Sequence, residues 1–571
     1  MEWENNPKDK QIIQQYITNN DTAQLKAAFQ DRIAFGTAGL RGAMRPGPAF
    51  MNTLTVTQAA QGICAYLEKN EPEVKVKGVC IGYDGRHNSK DFALKSAAIF
   101  LSRGVPVYIY DDVVPTPLLA FAIRELGTSV GIMVTASHNP KDDNGYKVYG
   151  TNGAQIVSPV DKGIAQCILE NLKPWDLPSD VLLNNPLRKD PTERIFAKYF
   201  SDIKAWSFCS GLNRERQLKI TYTAMHGVGA KSSALAFESF NLCPYFPVKE
   251  QHTPDPEFPT VAFPNPEEGK GALKLAMETA DRVGSPVIVA NDPDADRLAA
   301  AEKVNGEWKI FSGDEIGIIL GYWIYKNYRK QHPDVDVAKL AVLNTTVSCK
   351  ALEAFARKEG LYYEETLTGF KWLGNRAEEL ERAGYKVLFA YEEAIGYMIG
   401  TAPLDKDGVK TSAVFSEMAS SVYADNGTIQ GYLNAIYTEI NYFVTNNRYF
   451  YCYDPKKTLQ IFEEMRNGGK YFSSCGKYAV KNIRDLKNPG YDSSKPDKKA
   501  TLPTSSSDNL TLFFENGALI SLRGSGTEPK LKYYAQLSGA DPKETKALLD
   551  DIVHIVIQQL LQPEKNGLEA P

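Results

Sequence analysis

Nothing in this chain of 571 residues invites a membrane, a nucleic acid or a disulfide framework. No apolar run approaches the about 18 residues that a bilayer span needs. The start, MEWENNPKDK, lacks the basic opening and apolar centre of a secretory leader. Lys and Arg form no long run and the net charge is −4, so no nucleic-acid partner is expected. Eight cysteines are few for this length and form no C-x-x-C pair. That argues against structural zinc and against a disulfide-built fold, and it suits a reducing, cytoplasmic compartment. Two motifs are also missing: G-x-x-x-x-G-K-[ST], which rules out a Walker-type phosphate loop, and G-x-S-x-G, which leaves a hydrolase nucleophile elbow unsupported.

What is present is a globular balance, 43% apolar and 23% charged, in a chain too long for one core. Roughly three to five domains are expected. The first 150 residues alternate helix and strand. Val56, Ala59, Ala60, Ile63 and Leu67 recur at helical spacing. VKGVCIGYD (76–84), VPVYIY (105–110) and VGIMVT (130–135) read as short buried strands between helices, which argues for a doubly wound, largely parallel sheet. QLKITYTAMHGVG (217–229), SPVIVANDPDADR (285–297), AKLAVLNTTVSC (338–349) and YKVLFAYEEAIGY (385–397) repeat that grammar. After about residue 438 it changes. A polar stretch at 486–508 reads as a surface loop, strands follow, then a helix over 542–561 and a frayed tail. The boundaries drawn are 1–208, 209–311, 312–437 and 438–571: three α/β domains and a smaller α+β domain.

In doubly wound sheets chemistry sits at the carboxyl ends of strands, and the unusual loops here all follow such ends. DPDADR (292–297) places Asp292, Asp294 and Asp296 at i, i+2 and i+4, which converge in an extended loop. Three converging carboxylates repel unless a cation sits among them, and oxygen ligands select a hard ion. An EF-hand is excluded, because its Gly position holds Arg297 and its closing Glu position holds Lys303. The plain alternative is a solvated acidic turn. Ser137, in TASHNP, has three readings: a turn or helix cap, a hydrolase nucleophile, or a carrier of a phosphoryl group. The third needs a cation and basic groups, and Arg41, Lys147 and Arg297 are available. RGSGTEPK (523–530) is a candidate phosphate loop, with Arg523 able to bind bidentately. HGVGAKSS (226–233) reads as a tight strand-to-helix turn.

TASHNP, DPDADR and RGSGTEPK, in this order, resemble the motifs of the α-D-phosphohexomutase superfamily. FGTAGLRG (35–42), NGYK (144–147), TGFKW (368–372), EEAIGY (392–397) and DKDG (405–408) extend the match over nearly the whole chain after residue 30. The resemblance implies four domains around a central cleft and a reversible mutase acting on small sugar phosphates, with no membrane and no obligate protein partner. By position it makes Ser137 the phosphoserine and a metal contact, and Asp292, Asp294 and Asp296 the Mg²⁺ ligands. Arg41 and Arg297 hold the transferring group, Lys406 relays a proton, and His138 and Lys147 support them. Thr368, Gly369 and Glu392 bind the sugar. Arg523, Ser525, Gly526, Thr527 and Lys532 grip the other phosphate. Glucose 1,6-bisphosphate, or a pentose bisphosphate, is the implied intermediate and activator.

EEAIGY with TGFKWLG is similar to the phosphoglucomutase-2 / phosphopentomutase branch. Ala394 stands where many glucose-type enzymes have serine. The expected reaction is glucose 1-phosphate to glucose 6-phosphate. The alternatives are a phosphopentomutase, a glucose-1,6-bisphosphate synthase, and a non-catalytic phosphosugar-sensing scaffold.

Overall fold

The computed structural model describes residues 3–4, 6–178, 180–182, 184–505, 507–525 and 529–570. The chain forms two compact units, one of residues 1–343 with 369–430, the other of 344–368 with 431–571.

In the first unit, five apolar or small residues in a row, all buried, make Val130–Val134 a central strand. Burying each large apolar side chain contributes about 1.5–3 kcal/mol. It pairs in parallel with Val79–Tyr83, which pairs in parallel with Val107–Ile109. On its other side Asp143–Tyr149 runs antiparallel, and Leu40–Ala43 runs antiparallel to that. The sheet is therefore mixed, because the chain after Ser137 turns straight back instead of crossing over by a helix. That return sets Lys147 opposite Met133, beside the strand that delivers Ser137. The helix Thr53–Asn70 packs on this core and begins at a reciprocal cap, Asn52 with Thr55.

A second mixed sheet has Val287–Ala290 at its centre, parallel to Ile220–Thr223 and antiparallel to Ala299–Val304. HGVG is the expected tight turn before the helix Gly229–Ser239. Its Gly227 lies so close to the metal-type loop that a Cβ there would sit 2.3 Å from Pro293 Cα. Lys386–Glu392 and Gly396–Ile399 form an antiparallel hairpin in a third sheet.

The second unit carries a seven-stranded antiparallel sheet that includes Tyr442–Tyr451, Lys530–Gly539, Leu519–Gly524, Asn509–Phe514 and Tyr478–Asp485. The helix Pro542–Val556 covers it and ends in a widened turn, Ile557–Leu561. Two expectations need correction here. The tail is not frayed: Pro563–Asn566 is helical, Leu568 packs on the core, and Glu569 pairs with Tyr451. The stretch 486–508 is not merely a surface loop, since Tyr491–Asp492 pairs with the end of Tyr478–Asp485 and Asp492 is buried.

Candidate functional site

Ser137 sits one turn beyond the strand Val130–Val134 and is 3% exposed, so it does not lie at an exposed loop tip. Its backbone is left-handed, φ +53°, and its N–H donates to Thr135 Oγ1 at 2.8 Å. The loop is clamped by Arg86, which the sequence did not single out. One guanidinium donates to the carbonyls of Ser137 (2.7 Å), Asn139 (2.6 Å) and Pro140 (2.8 Å). Arg86 is itself buried against Asp84 at 3.3 Å.

Ser137 Oγ donates to Asp292 Oδ2 at 2.8 Å, across 155 residues of sequence. Asp292, Asp294 and Asp296 are all buried, and each offers an oxygen within 4.8 Å of the others. The convergence is real but its geometry is not that of an extended loop. A turn closes it, with Ala295 N–H donating to the Asp292 carbonyl at 2.9 Å and Ala295 at φ +54°. Burial and the two neighbouring carboxylates push the Asp292 carboxyl well up. Burial also acts on Asp294, but Lys147 and Thr116 overcome it and hold that carboxyl far below its ordinary range. Thr116 Oγ1 donates to Asp294 Oδ2 at 2.6 Å, a contact no local pattern announces.

Lys147 Nζ donates to Asp294 Oδ2 at 2.7 Å and Asp296 Oδ2 at 3.0 Å. Lys406 Nζ lies 3.3 Å from Asp296 and 3.5 Å from Asp405. Burial would lower the Lys406 ammonium, yet Asp296, Asp405 and Glu392 together hold it well above its ordinary value. A proton relay through a lysine with a lowered pKa is therefore not what these residues alone provide. Gly396 makes room for Lys406: a Cβ there would meet Lys406 Cδ at 2.4 Å. Arg297 Nε stands 3.9 Å from Asp292 and 3.8 Å from Asp296, and its Nη1 donates to the Ala394 carbonyl at 3.1 Å. At position 394 the backbone thus serves the arginine, and the side chain is only a methyl.

Glu392 is buried, and burial raises its carboxyl while Lys406 and Arg297 oppose the rise. His138 Nδ1 is 3.3 Å from Ser137 Oγ, and burial, then Arg297 and Arg41, push the imidazole well down, so it is neutral. Burial lowers Arg41, and the Arg297 charge adds to that, while Asp294 and Asp296 oppose it. Gly369 precedes the helix Phe370–Arg382 at φ +108°. In the other unit Thr368 has a buried hydroxyl with no hydrogen-bond partner among the described residues. Arg523 and Lys532 are directly opposed on neighbouring strands, so they share one face of the sheet. Ser525 N–H donates to the Lys530 carbonyl at 2.9 Å. Gly526 and Thr527 lie outside the described residues.

The triad passes a test as a cation site. Asp294 Oδ1 and Asp296 Oδ1 are buried and accept no hydrogen bond among the described residues, so the cluster keeps acceptors unfilled. An all-oxygen set of this kind suits a hard divalent ion.

A serine against three carboxylates and surrounding cations, at the meeting of α/β sheets, has counterparts in known proteins. Models described as phosphoglucomutase/phosphomannomutase alpha/beta/alpha domains I, II and III match residues 32–174, 197–306 and 312–439. The chain belongs to the phosphoglucomutase/phosphomannomutase family, within the α-D-phosphohexomutase superfamily and its phosphoglucomutase-2 / phosphopentomutase branch. It is accordingly an enzyme, a phosphosugar mutase of the isomerase class. It is 46% identical to the human protein named phosphopentomutase, over all of this chain and 96% of that one. It is 43% identical to the human protein named glucose 1,6-bisphosphate synthase, over all of this chain and 94% of that one. Its fold matches the open form of the Paramecium phosphoglucomutase pp63/parafusin with TM-score 0.70 at 18% identity, over 94% of this chain and 96% of that one. No helix among the described residues is long and apolar enough to cross a membrane.

Proposed function

We propose that this chain moves a phosphoryl group between C1 and the terminal hydroxyl of aldose phosphates. Ribose 1-phosphate and ribose 5-phosphate are its principal pair, and glucose 1-phosphate and glucose 6-phosphate its second. The observation that carries the chemistry is the 2.8 Å contact between Ser137 Oγ and Asp292 inside the carboxylate triad. The order of substrates leans on the relatives. Those named phosphopentomutase are more similar than those named glucose 1,6-bisphosphate synthase. The methyl of Ala394 also removes one possible hydroxyl contact, worth about 0.5–1.5 kcal/mol. The hexose pair stays as a second reading because the synthase relatives handle a glucose phosphate by name.

In this reading Ser137 Oγ carries the phosphoryl group. Transfer breaks its O–P bond and forms one to a sugar hydroxyl, and a second transfer from the bisphosphate regenerates it. Asp292, Asp294 and Asp296 would hold Mg²⁺, which supplies positive charge to the phosphoryl oxygens. Phosphoryl transfer depends chiefly on positioning and on neutralising such charge. Arg86 fixes the serine loop, and Arg297 and Arg41 face the transferring group. Lys147 pins Asp294 and Asp296. In the first transfer the proton of the attacked sugar hydroxyl ends on the freed Ser137 Oγ; in the return transfer Lys406, held charged, gives its proton to the released sugar oxygen and is recharged by the proton that Ser137 Oγ loses. His138, neutral, orients Ser137 Oγ. Glu392 with Thr368 and Gly369 takes the sugar hydroxyls, and Arg523, Ser525, Gly526, Thr527 and Lys532 take the phosphate that stays. A pentose or glucose 1,6-bisphosphate serves as intermediate and activator, and the cytoplasm is the compartment.

The test is kcat/KM for ribose 1-phosphate and glucose 1-phosphate, each with its matching bisphosphate and Mg²⁺. The reading expects ribose 1-phosphate to be preferred and glucose 1-phosphate to turn over measurably. A higher kcat/KM for glucose 1-phosphate than for ribose 1-phosphate contradicts the order of substrates, and a glucose preference beyond about a hundredfold, ~2.7 kcal/mol, contradicts the pentose reading altogether.

A further inference from the structure

The stretch 486–508, whose Asp508 carbonyl accepts from Gly524 N–H at 3.2 Å, contains none of the residues assigned to the mutase site, and it helps wall a cavity of about 590 Å³ within the second unit. That is within the size range of small-molecule sites. One wall is Asn482 and Arg484, alternate residues on the strand Tyr478–Asp485, with Phe513 opposite Asn482 on the next strand. A second wall is Lys350, Tyr363 and Glu365. Asp492, Ser494, Lys495, Thr501 and Leu502 complete it from the stretch itself.

Four acids (Glu353, Glu364, Glu365 and Asp492) and three cations (Lys350, Arg484 and Lys495) line this cavity, and they differ in how far their hydrogen bonds are filled. Glu365 is bonded by two cations at once, Lys350 Nζ and Arg484 Nη1, the latter at 2.5 Å. Burial would raise its carboxyl, but Lys350 and Arg484 bring it down to about 2, so it is ionised at neutral pH. The other acids already have partners: Glu353 with Arg357, Glu364 with Tyr362, and Asp492 with the hydroxyl and N–H of Ser494. The cations are under-used. Arg484 is 9% exposed and lies over the Phe513 ring at 5.5 Å. Its Nε and Nη2 are buried and donate to nothing among the described residues. Lys495 is half-buried, and its ammonium has no hydrogen-bond or ion-pair partner among the described residues. What the cations offer is unfilled donors, Nε and Nη2 of Arg484 and the ammonium of Lys495, with the hydroxyl of Thr501 beside them.

A buried guanidinium with unfilled donors costs free energy, because those N–H groups have given up water without gaining an acceptor. An anion that reaches it recovers that cost, and phosphate geometry suits a guanidinium with further cations nearby. We infer that this cavity is a second ligand site, separate from the mutase residues, for a phosphoryl-bearing small molecule held by Arg484, Lys350 and Lys495. Thr501 Oγ1 donates to one of its remaining oxygens. Its ligand joins the segment 344–368 to the sheet of residues 442–539, so binding stiffens the second unit.

The test uses the full chain and inorganic pyrophosphate in Mg²⁺-free buffer, read by titration calorimetry and by melting temperature. Lys495→Ala and Thr501→Val change partly solvated positions on the stretch and leave the Glu365 bridge intact. Arg523→Ala weakens the phosphate loop of the mutase site instead. The expected result is a pyrophosphate-binding component that survives Arg523→Ala, weakens at least fivefold in Lys495→Ala, and is lost in the Lys495→Ala/Thr501→Val double variant. Basal mutase turnover of the Lys495→Ala protein stays at the wild-type level, and the rise in melting temperature with pyrophosphate shrinks in parallel with affinity. Pyrophosphate binding that disappears in Arg523→Ala, or that is unchanged in Lys495→Ala, overturns the inference. The first result would assign all binding to the mutase site.

Discussion

Around Asp294, carboxylates crowd together and two of their oxygens find no donor among the described residues; around Arg484, two cations share Glu365 and two guanidinium nitrogens find no acceptor among the described residues. Both clusters are buried and both contain close ion pairs, so counting salt bridges would make them alike. The unfilled atoms separate them. A cluster short of donors is prepared for a cation, and a cluster short of acceptors is prepared for an anion. Burial amplifies either shortage, because water cannot fill it.

The comparison breaks most sharply at Lys147. Lys147→Met leaves Asp294 and Asp296 buried without their closest cation, and losing one partner of a buried pair typically costs about 3–5 kcal/mol. Thermal unfolding in a chelator should show that loss, and adding Mg²⁺ should narrow the gap to wild type, because the ion replaces the missing charge. A variant that melts like wild type in chelator would show that the triad is not held together by Lys147.

Glu365→Gln is the corresponding change in the other cluster, with an expected cost of about 1.5–3 kcal/mol for its charge-assisted hydrogen bonds. Mg²⁺ should not restore it. Its pH dependence has a fixed sign. The Glu365 carboxyl is depressed from an ordinary 4.5 to about 2, so its contribution is present above about pH 4.5 and is lost as the pH falls toward 2. Denaturant midpoints measured from pH 6 to pH 2.5 should therefore converge for wild type and Glu365→Gln. Parallel curves would contradict the pairing.

The local parts of both regions could be read in sequence, and the long-range parts could not. Ser137 and the three aspartates stand in short motifs at strand ends, where chemistry is expected from the fold class. The strand Val130–Val134 shows itself by an unbroken apolar run. Arg86, in GYDGRH, also follows a strand end, and that placement is its only local signal. Thr116, by contrast, reaches Asp294 across 178 residues, and no spacing rule connects them. The same distance hid the Glu365–Arg484 pair, 119 residues apart, so the 486–508 stretch looked like solvent-facing loop. Polar composition there predicts exposure, and the composition of the tail predicts fraying. In both places a few tertiary contacts, such as Tyr451 with Glu569, override composition.

The central claim is that Ser137 and the aspartate triad form one phosphoryl-transfer site, and peptide mass spectrometry tests it most directly. Wild-type enzyme incubated with Mg²⁺ and a sugar bisphosphate should carry one phosphoryl group on Ser137, and that group should leave when sugar monophosphate is added. Ser137→Ala should carry none and show no turnover, while losing only about 0.5–1.5 kcal/mol of stability with its hydrogen bond to Asp292. Full turnover by the alanine variant, or a phosphoryl group that sits on another residue and exchanges with sugar, would contradict the account.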